Sequence, residues 1–169
     1  MTDLLFYRES DGLAAVGHIA GGKFVNTDSE HFTDEWTHIV AVGDQLLFYR
    51  ASDGLAAVGH VAGGKFVNTD SQHFTDNWSK IVVVGDQLLF YREGDGLAAV
   101  GHIAGGKFVN TDSQNFTDNW SQIVVVGNQL LFYREGDGLA AVGHIAGGKF
   151  VNTDSQNFTP EWTKIITTA

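Results

Sequence analysis

The sequence predicts an all-β protein, a β-propeller of four 42-residue, four-stranded blades. Three observations predict it. First, one unit recurs in strict register: LLFYR begins at Leu4, Leu46, Leu88 and Leu130, a spacing of 42, with no insertion between copies. Second, each unit holds four short runs rich in apolar and β-branched residues, separated by Gly-containing turn signals. Third, no stretch has the 3.6-residue periodicity that a helical solenoid of similar period needs.

The elements follow in order. LLFYR reads as a short aromatic strand ended by the triplet SDG or GDG. LAAVGHI is the next strand, and Gly21-Gly22 or its copies turn it into KFVNT. A longer connection, DSEHFTDEW in the first unit, leads to IVAVG or IVVVG, and Gly43-Asp44 turns back to the next LLFYR. LLFYR and LAAVGHI are apolar at both alternating sets of positions, as in a sheet packed on both faces rather than one wetted on one side. The repeats span 4–45, 46–87, 88–129 and 130–169, read as a single domain over 1–169.

The phase of the repeats suggests how such a ring would close. With the Trp connection as the inter-blade link, a blade is the meander IVVVG, LLFYR, LAAVGHI, KFVNT. The first blade then lacks its first strand, and the run from Trp162 to Thr168 supplies an extra copy of it. The expectation is that this C-terminal strand pairs with the N-terminal blade and closes the ring, removing exposed edges. A strand-swapped or ring-completing homodimer is the rival to a closed monomer, and the fourfold count disfavours a β-trefoil.

Composition narrows the function. The chain has 10 Lys and Arg against 20 Asp and Glu, a formal net charge of −10. Nucleic acid and anionic membrane surfaces are poor partners for that charge. Without cysteine, thiol chemistry and disulfides are excluded. No basic, apolar leader opens the sequence and no apolar run reaches membrane-spanning length, so membrane insertion is not expected. The expected location is cytoplasmic, or outside the cell by export without a classical signal peptide. No cofactor or metal is expected, and no catalysis, because every candidate group occurs four times in the same role whereas a catalytic centre needs different roles.

The Trp connection is the candidate site. Sugar recognition needs an aromatic surface for C–H groups and a few fixed donors and acceptors. Trp36, Trp78, Trp120 and Trp162 offer the first. Asn26, Asn68, Asn110 and Asn152 offer the second, with Asp28, Asp70, Asp112 and Asp154, and with Asn77 and Asn119 beside two of the tryptophans. The same Trp residues would serve equally as packing between blades. His18, His60, His102 and His144 have no second metal ligand at ligand spacing and read as strand histidines satisfied by backbone carbonyls. Arg8 reads as the partner of a nearby acid such as Asp11. His31 and His73 are replaced by Asn115 and Asn157 in the later repeats, which suggests an exposed, tolerant position.

The order LLFY, DG, LAAV, GKF, DNW resembles the blades of the tachylectin-2 family of β-propeller lectins. It is carried most closely by Asp76-Asn77-Trp78 followed by Ile81 to Gly85, and by Asp118-Asn119-Trp120. The resemblance extends over every repeat. It implies binding of N-acetylated hexosamines, at one site per repeat. The chain departs from the family in having shorter blades and four rather than five, and in lacking a Gly-Gly-Trp segment. It also reads Asp34-Glu35-Trp36 and Pro160-Glu161-Trp162 where the inner repeats read DNW. The expectation is a multivalent lectin acting on glycans as a monomer or homodimer. The alternative is a structural or protein-interaction propeller, including an engineered one.

Overall fold

In a computed structural model that describes residues 2–168, the chain is all β, with fifteen strands and no helix among those residues. The first sheet is β1 (Asp3–Tyr7), β2 (Leu13–Ala20) and β3 (Lys23–His31). The second is β4 (His38–Val42), β5 (Gln45–Tyr49), β6 (Leu55–Ala62) and β7 (Lys65–His73). The third is β8 (Lys80–Val84), β9 (Gln87–Tyr91), β10 (Leu97–Ala104) and β11 (Lys107–Asn115), and the fourth is β12 (Gln122–Val126), β13 (Gln129–Tyr133), β14 (Leu139–Ala146) and β15 (Lys149–Asn157). Each sheet is an antiparallel meander in chain order, three of four strands and the first of three. This is the blade predicted from the repeat.

The turns explain the meander. Gly63 and Gly64 form the two-residue link from β6 to β7, both with positive φ (60° and 77°), the backbone that a type I′ hairpin demands. In β2, β6 and β14 the register with the following strand shifts by one residue beside a conserved-in-register Gly, at Val16/Gly17, Val58/Gly59 and Val142/Gly143. This bulge bends the strand and re-aims the side chains that follow it.

Two details differ from the sequence reading. The third run of each unit is longer than KFVNT: β3 reaches His31, so Asp28, Ser29 and Glu30 are strand rather than connection, and the link is only Phe32 to Thr37. The hairpin carries polar DSEH into the sheet because LAAV opposite supplies backbone partners to its end: Leu13 pairs with His31. The run Trp162 to Thr168 forms no strand and the first sheet has three strands, so the expected ring-closing strand pairing is not shown. Instead the Gln122 side chain caps this segment, donating to the Trp162 carbonyl (3.0 Å) and accepting from the Ile165 amide (3.1 Å).

The chain groups into two compact units, Met1–Asn77 with Gly105–Lys107, and Trp78–Ala104 with Phe108–Ala169. Inside the second unit, Leu89 and Tyr91 of β9, Val100 of β10, Trp120, and Leu130 and Phe132 of β13 form one core. Leu88, Leu89, Phe90 and Tyr91 are all buried, so this strand is covered on both faces, as the unbroken apolar pattern requires.

Candidate functional site

The site is built from a tyrosine outward. The Tyr91 hydroxyl donates to the Thr117 carbonyl (2.9 Å) and accepts from the Trp120 amide (3.0 Å), so a single buried oxygen pins both ends of the short connection. Tyr7 does the same for Thr33 and Trp36. Burial pushes the Tyr91 hydroxyl above its ordinary pKa, against the opposing effect of the Trp120 amide, and it stays protonated as donor. The residue before each Trp takes the left-handed conformation: Glu35, Asn77, Asn119 and Glu161 have φ of 60–69°. The amide of Asn119 then reaches the Glu93 carbonyl at 2.8 Å, and that of Asn77 reaches the Ala51 carbonyl at 2.9 Å. Asn favours this backbone, which accounts for DNW in structural terms.

Trp36, Trp78 and Trp120 are buried, each against a Phe of the next blade. Trp36 meets Phe48 at 5.8 Å between centroids and Trp120 meets Phe132 at 5.7 Å. The Arg50 guanidinium lies 6.0 Å from the Trp36 ring. At 7% and 4% exposure, Trp36 and Trp120 offer an edge to a ligand rather than an open face. A second Phe completes the group. Phe66 packs edge-on to Phe48 (5.2 Å) and Phe150 edge-on to Phe132 (5.1 Å). A Cβ at Gly59 or Gly143 would collide with these rings and with the neighbouring strand's carbonyl, so glycine at the bulge is what lets the Phe lie there.

A cavity opens at this junction in each unit. In the first, about 350 Å³ is bounded by Glu30, His31, Phe32, Thr33 and Trp36 from one blade and Phe48, Ala57, Phe66 and Asn68 from the next. In the second, about 270 Å³ is bounded by Gln114, Asn115, Phe116, Thr117 and Trp120 and by Phe132, Ala141, Phe150 and Asn152, with Leu139, Ala140 and Ser155 in addition. Every residue of the first set has its counterpart, 84 positions later, in the second.

The polar groups are held by the bulge. Asn152 donates through Nδ2 to Ser155 Oγ (3.3 Å), and its Oδ1 accepts from the Asp154 amide (3.2 Å). Asn68 repeats this with Ser71 (3.4 Å) and Asp70 (3.2 Å). A carboxamide has two N–H donors and two acceptor lone pairs, so each Asn keeps one of each to offer. The Gln114 side chain is steered by Asp112 (2.6 Å) and by the Phe150 carbonyl (3.3 Å) across the junction.

The sequence candidates therefore fall into three groups. Trp36, Trp120, Asn68 and Asn152 line the cavities, each Trp facing the Asn of the following repeat rather than its own. Asn26 and Asn110 make the same Asn–Ser bond (both 3.3 Å), while Asp70, Asp112 and Asp154 orient Gln72, Gln114 and Gln156 from behind. Asp28 takes the same bulge position with Glu30 in place of Gln. Asn77 and Asn119 sit at the left-handed turn and do not line either cavity; Trp78 is buried on Phe90, and Trp162 is 53% exposed.

Sequence reasoning missed Phe48, Phe66 and their counterparts, because in a strand pattern they read as ordinary core, and it missed Phe32, which lies in the connection. His31 and Asn115 are exposed, as their variation between repeats suggests, and they also line the two cavities. Glu30 against Gln114 and His31 against Asn115 are the differences that an alignment of the two site sets exposes. Elsewhere the histidines differ from expectation: Nδ1 of His60 and of His144 is buried without a hydrogen-bond partner. The arginines pair as expected, Arg50 Nε with Asp53 Oδ1 at 3.0 Å and Nη2 with Oδ2 at 2.7 Å, and likewise in the other repeats.

No family model matches the chain, and no curated protein matches it. Among solved structures, a candidate 6-phosphogluconolactonase from Bacteroides fragilis is similar, with a TM-score of 0.68 and 10% identity over 94% of this chain and 52% of that one. The N-terminal domain of Nup159 matches with a TM-score of 0.58 and 13% identity, over 92% and 42% of the two chains. The β-propeller domain of Cps50 (Swd1) from Myceliophthora thermophila matches with a TM-score of 0.55 and 12% identity, over 86% and 52%. The chain spans about half the length of the structures it matches. At such identities these likenesses establish the fold alone, and the fold is that of the β-propellers.

Proposed function

We propose that the chain is a non-catalytic, multivalent carbohydrate-binding protein whose sites are the clefts between successive blades, with N-acetylated hexosamines as the ligand class. The observation that carries this reading is the recurrence of one cleft, position for position and with the same Trp, Phe, Ala and Asn, in both units. The two volumes, about 350 and 270 Å³, lie at and just below the small end of ligand pockets, roughly 300–1,000 Å³, which suits one sugar ring rather than a long chain.

The chemistry of the lining supports the ligand class. An acetamido group has an N–H, a C=O and a methyl. The free N–H and lone pair of Asn68 or Asn152 complement the amide, and the Phe66–Ala57 or Phe150–Ala141 floor takes the methyl. The aromatic edges of Trp and Phe take the C–H face of the ring. The resemblance of the repeats to tachylectin-2 blades points the same way.

A glycan array, followed by thermal unfolding with N-acetylglucosamine and N-acetylgalactosamine, tests the proposal. A ligand at about 100 times its Kd stabilises the folded state by about 2.7 kcal/mol, a clear rise in Tm. Binding to no glycan and no rise at millimolar sugar would sink it.

A further inference from the structure

The two clefts share their Trp, Phe, Ala and Asn and differ where the strand runs into the connection. The second is lined by no charged side chain: Gln114 and Asn115 stand on the wall that holds Trp120. In the first, Glu30 and His31 take those two places on the wall that holds Trp36. Each cleft lies wholly within one compact unit.

The exchange of Gln for Glu changes the hydrogen bonding as well as the charge. Gln72, Gln114 and Gln156 donate through Nε2 to Oδ2 of Asp70, Asp112 and Asp154, at 2.7, 2.6 and 2.6 Å. Gln114 gives its second N–H to the Phe150 carbonyl (3.3 Å), so both of its donors are bonded. Glu30 has no N–H and can repeat neither bond. It is half-buried, on the same face of β3 as Asp28 two residues before it. Among the described residues, the Glu30 side chain makes no hydrogen bond or ion pair. A half-buried carboxylate beside a second one, above the apolar Phe66 and Ala57, favours a positive charge more strongly than it would in open water.

We propose that Glu30 sets the ligand charge of the first cleft, which prefers a hexosamine whose amino group is free and protonated, whereas the second cleft prefers the N-acetylated sugar. This rests on the carbohydrate reading of the clefts and divides its ligand class between them. In the first cleft the sugar ammonium donates to the Glu30 carboxylate, a charge-assisted hydrogen bond, while the ring C–H face meets Trp36 and Phe48. An acetamido group in that place has one neutral N–H and turns a carbonyl towards carboxylate oxygens. In the second cleft the acetamido group keeps Asn152 and the Phe150–Ala141 floor, and an ammonium meets no charged side chain in the lining. His31, the other difference, is exposed and supplies no negative charge.

Calorimetric titration of the full chain at neutral pH with glucosamine, N-acetylglucosamine and ethanolamine tests the assignment. Ethanolamine is the control for a small cation drawn to the net charge of −10 without a sugar ring. Glucosamine is expected to bind the unaltered protein about tenfold more tightly than the Glu30→Gln variant, about 1.4 kcal/mol. That binding weakens with added salt, whereas N-acetylglucosamine binding does not. Glu30→Gln installs the residue with which the other repeats already fold, and it retains N-acetylglucosamine binding. Gln114→Glu, the reciprocal change, adds a second site that prefers glucosamine. If N-acetylglucosamine binds but glucosamine binds the unaltered protein and Glu30→Gln alike, the assignment of Glu30 is overturned and the carbohydrate reading stands. Ethanolamine binding as tightly as glucosamine overturns the assignment in the same way. Binding of neither sugar overturns the carbohydrate reading itself, and the assignment with it.

Discussion

The Arg–Asp pairs that close the aromatic strand are the most regular charged feature of the chain. Arg8, Arg50, Arg92 and Arg134 each hold an Asp three residues on, and that hydrogen bond keeps Asp11, Asp53, Asp95 and Asp137 at a pKa of about 2, below the ordinary 3.8. A carboxyl whose pKa is depressed by folding stabilises the fold above its unfolded pKa and loses that contribution as pH falls through the folded value. Denaturant midpoints therefore hold steady from neutral pH to about 4 on account of these groups, then decline towards pH 2. Asp95→Asn flattens that part of the profile, and added salt shrinks it because the pairs are exposed. At this scale the sequence was legible where spacing was local: Arg and Asp three apart could be paired by eye. Asn68 and Trp36 were legible as chemistry but not as neighbours, since each Trp meets the Asn of the next repeat. The Phe48–Phe66 and Phe132–Phe150 pairs were illegible as site residues, because burial and ligand contact demand the same side chain.

Between elements, the tyrosine clamp decides where each Trp stands. Tyr91→Phe removes one oxygen that serves two backbone groups, and leaves the Trp120 amide and the Thr117 carbonyl without it. The expected loss is about 1–3 kcal/mol, read from urea unfolding, with a weakened response to sugar because Trp120 is no longer held. The strands themselves were legible from turns: Gly-Gly and Gly-Asp dipeptides bounded the hairpins correctly. The end of β3 was not. Its polar tail, Asp28 to His31, looks like loop by composition but is drawn into the sheet by the backbone of Leu13 to Val16 opposite. The bulge was also hidden, since a one-residue register shift changes no hydrophobic pattern until the partner strand is known. It is the bulge that turns Asn152 and Ser155 into a preorganised pair.

For the molecule as a whole, repetition bears on the proposed carbohydrate function through avidity: several weak sites on one chain raise affinity for a dense glycan surface by roughly 10²–10⁴ where the geometry allows simultaneous engagement. The blade count and strand order were readable from the period alone. The fate of the Trp162 to Thr168 run was not, because its likeness to IVVVG specifies a strand while pairing depends on which edge it meets. The central claim is that the cleft between blades binds sugar through a shared Asn and an aromatic floor. Calorimetric titration of N-acetylglucosamine into the unaltered protein and into the double variant Asn68→Leu with Asn152→Leu tests it most directly. The account predicts millimolar-range heat for the first, and for the second a smaller number of sites at unchanged thermal stability. Equal binding by the two proteins, or no heat from either, would contradict it.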